Sequence, residues 1–208
     1  MKSKAKSIEV HQGDLPDGLS FGDAVAVDTE TQGLNLERDR LCLAQVSGGD
    51  GHCHLVQFPG AEFDAPNLRA LMEDPGVTKI FHYARFDMAV VKKYLGVDCR
   101  SVFCTKIASL LARTYTDRHG LKDVCKELLD IELSKEQQSS DWAAATLSPE
   151  QIEYAASDVL YLNALRDKFI DMLAREGRTD LAQACFGFLE TRVELDLAGW
   201  KDFDIFAH

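Results

Sequence analysis

The run Ala24-Val25-Ala26-Val27 ends in Asp28-Thr29-Glu30. A short, wholly apolar run of this kind reads as a buried strand. Asp28 and Glu30 stand two apart, so in extended backbone both carboxylates project from one face. Two acids side by side at the end of a core strand repel each other, and burying them unpaired costs several kcal/mol. No Lys or Arg follows until Arg38. A divalent cation between the carboxylates is the economical answer. The plain alternative is that both face water at a loop start.

The surrounding pattern sets the fold class. Leu41–Ser47 and His52–Phe58 are strand-like, and Gly48-Gly49-Asp50-Gly51 between them is a strong hairpin signal. Three strands in close succession suggest an antiparallel meander. Then the period changes. Ala65–Glu73 reads as a helix, Thr78–His82 as a short strand, and Phe86–Tyr94 as a helix with Gly96 where helices often stop. Cys104–Ala112 and Leu121–Asp130 are further helices. Ser148-Pro149-Glu150-Gln151 supplies a capping serine, proline at the first helical position and an acid in the first turn. That helix is expected to reach about Leu173, and another to cover roughly Asp180–Glu194. The class is therefore α/β, a mixed sheet flanked by helices. With no repeat, no Gly/Ser-rich linker and only five prolines, one domain is expected over 1–208. Its core would lie at about 20–175, with a C-terminal helix and aromatic tail at about 178–208.

A chain of 208 residues can bury about 70% of its unfolded surface, enough for a core without staples. At 46% hydrophobic and 27% charged, it is neither disordered nor a disulfide mini-scaffold. Lys and Arg number 23 against 34 Asp and Glu, a net charge of −11, which argues against coating long nucleic acid. No apolar run is long enough to span a bilayer, and the N-terminus lacks an apolar signal region, so a cytoplasmic protein is expected. The six cysteines form no C-x-x-C pair and read as buried thiols. His52-Cys53-His54 looks like a metal triplet, but strand neighbours point to opposite faces, so all three cannot easily meet one ion.

Two more acids join the first pair. Asp87, in Phe81-His82-Tyr83-Ala84-Arg85-Phe86-Asp87, follows a strand and opens a helix. By itself it reads as a first-turn acid that complements the helix dipole. Tyr154 and Asp158 are i and i+4 on the long helix, and that face also carries Leu147, Gln151, Tyr161 and Leu165. A carboxylate in a core-facing stripe needs a partner. Asp28, Glu30, Asp87 and Asp158 thus offer four acids from three elements, a donor set for hard divalent ions. Two such ions about 3.5–4 Å apart clamp attacking and leaving oxygens in phosphoryl-transfer enzymes. No G-x-G-x-x-G or G-x-x-x-x-G-K-[ST] loop is present.

At these residues the chain resembles the DEDD superfamily of 3′–5′ exonucleases, which have an RNase H-like fold. The three blocks are Val27–Glu30 with Gly33-Leu34, His82–Asp87 and Tyr154–Asp158. Tyr154 stands four before the last Asp, as in the tyrosine subclass that includes ribonuclease D, whereas Glu153 holds the position that is His in the other subclass. Ser140-Asp141-Trp142 is also ribonuclease D-like, but this chain ends 50 residues after Asp158, where those proteins carry helical domains. Asp39–Cys42, Phe103–Ser109, Thr114–Lys122, Gln137–Ala144 and the tail Asp204–His208 resemble the nanoRNase C group of short-oligoribonucleotide exonucleases.

The resemblance implies cleavage of short RNA, dinucleotides included, to nucleoside 5′-monophosphates with two Mg²⁺ or Mn²⁺ ions, by a homo-octameric ring. Asp28, Glu30, Asp87 and Asp158 would hold the ions and Tyr154 would orient the attacking water. Leu34 would wedge between two bases, His82 and Phe86 would border the 3′ nucleotide, and Thr29 and Trp142 would also touch substrate. Cys104–Lys126 is locally basic, so Arg113, Arg118, His119 and Lys122, with Lys135, Gln138 and Ser139, are candidates to cap a 5′-phosphate. Trp200, Phe203 and Phe206 would pack on a neighbouring subunit. The competing readings are a broader ribonuclease D-like exonuclease on structured RNA or DNA, and a catalytically silent nucleic-acid-binding relative.

Overall fold

The computed structural model describes residues 5–134, 136–137 and 139–207. In chain order it has β1 (Ser7–Gln12), β2 (Ala24–Thr31), β3 (Leu41–Ser47), β4 (His52–Gln57), α1 (Pro66–Glu73), β5 (Thr78–Phe81), α2 (Ala84–Leu95) and β6 (Val102–Cys104). Helices α3 (Thr105–Ala112), α4 (Leu121–Leu129), α5 (Pro149–Leu160), α6 (Leu162–Arg175) and α7 (Thr179–Leu195) follow, and one π turn, Asp196–Trp200, continues α7. The sheet order is β1-β4-β3-β2-β5-β6. Strands β2, β3 and β4 form the expected antiparallel meander, while β2/β5, β5/β6 and β1/β4 pair in parallel. This is the mixed, helix-flanked sheet that the pattern implies.

The core gathers where those strands are apolar on both faces. Val25, Ala26 and Val27 are fully buried, as are Leu41, Leu43 and Val46 of β3. A second cluster, with Cys42, Leu43, Leu55, Trp142, Leu147 and Ala155, seats α5 against β3 and β4. Ser148 caps α5 as its sequence requires. Its Oγ accepts from Gln151 N (3.2 Å) and its own N–H donates to Gln151 Oε1 (2.9 Å), a capping box. Such a cap is worth about 1 kcal/mol. Gly96 closes α2 at φ +72°, a conformation open to glycine.

One expectation needs correction, and two strands fall outside the pattern read from sequence. The helix after Ser148 does not run unbroken to Leu173; it breaks at Tyr161 (φ −108°, ψ −4°) into α5 and α6. The buried stripe Ala155, Val159, Leu162, Leu165, Phe169, Leu173 crosses the break in step, so periodicity could not reveal it. The partners change instead, because α5 packs on β3 and β4 while α6 packs on α3 and α4. Strand β1 was not expected. It lies at the sheet edge, half exposed, and is held by backbone pairing to β4 more than by burial. Strand β6, three residues long, is too short to show a period.

All six cysteines are free thiols, five of them buried. Among the described residues no helix is long and apolar enough to cross a membrane.

Candidate active site

Strand β2 lies between antiparallel β3 and parallel β5, and its C-terminal end opens into a cleft of about 660 Å³. Crevices at the carboxyl ends of strands, where the sheet direction switches, are the usual ligand sites of α/β folds. The strand runs through both acids to Thr31, with an irregularity between Glu30 and Thr31. Asp28 pairs in register with Gln45 of β3, whose Nε2 donates to Asp28 Oδ2 at 3.3 Å. Glu30 follows on the same face. Asp158 reaches this pair from α5. One carboxylate oxygen from each of Asp28, Glu30 and Asp158 lies within 4.8 Å of the other two.

Asp87 arrives from the first turn of α2, beyond the end of β5. It is buried and its Oδ1 accepts from Thr29 N (3.1 Å) and Thr29 Oγ1 (2.7 Å). Thr29 therefore serves as a brace: it points away from its acidic neighbours and ties the fourth carboxyl to the strand that carries the first two. Asp87 lines the same cleft outside the tight trio, and its charge is felt at Glu30.

Without a cation these acids resist ionisation. Burial is the main cause for each. It pushes Asp28 up to about 7, against a smaller lowering from the Thr29 backbone. Glu30 rises further, from burial and then from Asp28, Asp158 and Asp87. Asp87 and Asp158 are raised by burial and then by Asp28. Among the described residues no Lys or Arg forms an ion pair with any of the four. An all-carboxylate set that cannot hold its own charge fits hard divalent ions such as Mg²⁺ or Mn²⁺. Gln45 Oε1, buried and without a hydrogen-bond partner beside Asp28, adds an unused oxygen to the same wall.

Tyr154 donates its hydroxyl hydrogen bond to Asp158 and rests its ring on Trp142, with centroids 6.0 Å apart. Burial, with Asp158, Glu30 and Asp28 nearby, pushes the phenol well above its ordinary value. It stays a proton donor at any working pH. Across the cleft, His82 Nδ1 pairs with Thr105 Oγ1 at 2.8 Å, while Nε2 is buried without a hydrogen-bond partner. Burial, then the nearby Lys106 ammonium, brings His82 down to about 4, so its imidazole is neutral at pH 7. Trp142 Nε1 is a third buried polar atom without a partner. Such orphans cost free energy unless a ligand or water satisfies them.

The cleft mouth carries Leu34, 75% exposed. Its loop is braced by Asp39, which accepts from Asn35 N (3.0 Å) and is held by Arg38. A Cβ at Gly33 would stand 2.3 Å from Asp39 Oδ2, so only glycine fits there without shifting that brace. Tyr83 adopts φ +81°, uncommon for a bulky residue, and presents its ring to Lys106 Nζ at 4.4 Å.

Of the residues singled out by sequence, Asp28, Thr29, Glu30, Leu34, His82, Phe86, Asp87, Lys122, Ser139, Trp142, Tyr154 and Asp158 all line this cleft. Arg113 is a correction: it is fully buried and spends its guanidinium on Glu127, Ser109 Oγ (2.9 Å) and the Arg118 carbonyl (2.7 Å). A guanidinium so engaged has no face left for a phosphate. Arg118 and His119 are not in the cleft wall; His119 turns its Nδ1 to Ser109 Oγ (2.9 Å). Lys135 and Gln138 lie outside the described residues. Sequence reading missed Gln45, Tyr83, Thr105 and Lys106 as members of the site. Lys106 alone gave a signal, as the first cation of the locally basic stretch Cys104–Lys126.

Residues 12–174 match a family described as 3′–5′ exonuclease, DNA_pol_A_exo1. The chain is 33% identical over 156 residues to ribonuclease D of Gluconacetobacter diazotrophicus, covering 75% of this chain and 39% of that protein. It thus spans about two fifths of that relative's length. Among solved structures, Brucella melitensis NrnC superposes with a TM-score of 0.94 at 57% identity, covering 97% of this chain and 98% of that one. NrnC has also been solved bound to pGG and with bound Mg²⁺. Escherichia coli RNase D, an exoribonuclease of structured RNA processing, shares the fold at a TM-score of 0.75 and 24% identity, over 87% of this chain and 48% of that one.

Proposed function

The chain belongs to the 3′–5′ exonuclease family, of the ribonuclease D and NrnC type, and on that premise we propose that it hydrolyses short oligoribonucleotides, dinucleotides included, to nucleoside 5′-monophosphates. The observation that carries the reading is the carboxylate cluster at the end of β2, which no cation of the chain neutralises among the described residues.

Asp28, Glu30, Asp87 and Asp158 would hold two Mg²⁺ or Mn²⁺ ions. Such ions, when bound, activate water and neutralise charge on the leaving oxygen. The chain's own part is positioning. Thr29 fixes Asp87 and Gln45 fixes Asp28, and the Tyr154 hydroxyl, held at Asp158, would orient the attacking water. Lys106 and Lys122 line the cleft and would meet substrate phosphates. Leu34 and Phe86 offer apolar surface to bases, and the orphaned His82 Nε2 offers a polar contact at the 3′ nucleotide.

Two observations favour short substrates. The cleft is of small-ligand size, and the net charge of −11 repels long polyanions. The NrnC structure with pGG supports the same size class by relationship. A labelled diribonucleotide should yield mononucleotides in Mg²⁺, stop yielding them on adding chelator, and react faster than a twenty-residue strand. Equal rates would favour a broader ribonuclease D-like enzyme, and no mononucleotide at all a silent binding relative.

We also propose a homo-oligomer, an octameric ring by relationship. Trp200, Phe203 (66% exposed) and Phe206 (77% exposed) form an apolar tail beyond α7, and the Phe206 ring lies tilted against Phe188 with centroids 6.1 Å apart. Apolar aromatic surface of this kind is characteristic of subunit contacts. Light scattering at micromolar concentration should give a mass several times 23.1 kDa; a monomer would contradict it.

A further inference from the structure

The strand that sequence reading missed completes a second cluster, far along the sheet from the catalytic acids. Strand β1 pairs in parallel with β4, with Glu9 opposite His54 and His11 opposite Val56. Side chains alternate along a strand, so Glu9, His11 and His54 share one face. One ligand atom from each lies within 4.8 Å of the other two. His11 Nε2 and His54 Nδ1 stand 3.1 Å apart. Two imidazole nitrogens on one tetrahedral zinc ion, each at about 2.0–2.1 Å, stand about 3.3 Å apart.

We propose that Glu9, His11 and His54 form a binding site for a nitrogen-seeking divalent ion of the zinc class, separate from the all-oxygen catalytic site. The donor sets differ in kind. Imidazole suits zinc, nickel and copper, whereas carboxylate and water suit magnesium and manganese. The rings are already set: His11 and His54 stack at 5.3 Å and 20°, and Phe21 meets His54 edge-on at 5.9 Å. His54 is buried, His11 half-buried and Glu9 exposed, so an ion would enter from solvent with water in its fourth position. The neighbours are excluded by their own contacts. His52 Nδ1 pairs with Ser7 Oγ at 2.6 Å, and Cys53 turns to the opposite face, where its Sγ lies 3.8 Å from the Ala156 carbonyl. A bound ion would clip edge strand β1 to β4, where burial contributes little.

The test uses the untagged full chain in excess Mg²⁺, which fills the carboxylate site, and titrates Zn²⁺ calorimetrically. Wild type should bind one Zn²⁺ per chain. His11→Ala should weaken binding by more than the roughly 10–100-fold that loss of an outer-shell partner costs, and Glu9→Gln should weaken it less. Diribonucleotide cleavage by His11→Ala in Mg²⁺ should be unchanged. His11→Gln, which keeps side-chain bulk, replaces His11→Ala if circular dichroism shows misfolding. Absence of a zinc site in wild type, or equal zinc affinity in wild type and the His11 variants, would overturn the proposal and leave a plain histidine pair. The outcome is independent of whether the cleft hydrolyses RNA.

Discussion

Asp28→Asn is expected to abolish turnover while raising the melting temperature of the metal-free protein. The two effects share one cause. Asp28 sits in the carboxylate trio with Glu30 and Asp158, and its charge raises Glu30, Asp87 and Asp158 alike. Asparagine keeps the shape and the Gln45 contact side but removes the charge. Activity should fall by more than the roughly 10²–10³-fold that loss of a single transition-state donor costs, because a shared cation ligand is lost. The stability gain has a defined pH window. Burial raises Asp28 from 3.8 to about 7, so the folded state binds more protons than the unfolded one across that interval. Stability of the metal-free wild type is therefore lost as pH rises from about 4 through about 7. Asp28→Asn should melt close to wild type at low pH and several degrees higher above pH 7, each kcal/mol being about 2–4 °C in a chain of this length. Melting with chelator at both ends of the range reads this directly. A lower melting point than wild type above pH 7 would mean that the acids are not in conflict.

Tyr154→Phe should cost about 10²-fold or more in kcat, the range for a positioned proton-transfer group, with Mg²⁺ affinity nearly unchanged. The ring contact with Trp142 survives the substitution, so packing is kept and only the hydroxyl is lost. That hydroxyl is no base, because burial and three nearby carboxylates hold its proton in place. In the proposed mechanism its value is as a donor fixed on Asp158. Removing it also removes an interaction that lowers Asp158, so Mg²⁺ binding by the variant should need a slightly higher pH. Steady-state rates across a Mg²⁺ titration separate the two roles. Near-wild-type turnover would remove Tyr154 from the mechanism, and a large loss of Mg²⁺ affinity would make it structural.

The parts of this molecule that local chemistry dictates were legible in advance. An apolar run with acids at i and i+2 gave β2 and half the site; a serine, a proline and an acid gave the start of α5; four turn residues gave the β3–β4 hairpin. The rest depends on contacts that sequence spacing does not carry. Arg113 reads as one cation among several in a basic stretch, but Glu127 on α4 claims it in the core. Gln45 and Thr105 look like ordinary strand and helix residues until pairing sets them beside Asp28 and His82. Strand β1 shows no apolar period because an edge strand needs none, and with it the Glu9, His11 and His54 cluster stayed hidden. The break at Tyr161 is set by what each half-helix packs on, so an unbroken apolar stripe concealed it.

The central claim is that carboxyls which keep protons when alone give them up to shared divalent ions. Mg²⁺ titrated into metal-free protein at pH 7, by calorimetry in buffers of different ionisation enthalpy, counts the protons displaced. The account predicts Mg²⁺ binding with net proton release, and the loss of most of both in Asp28→Asn. Binding with no proton release, or equal binding by wild type and Asp28→Asn, would contradict it.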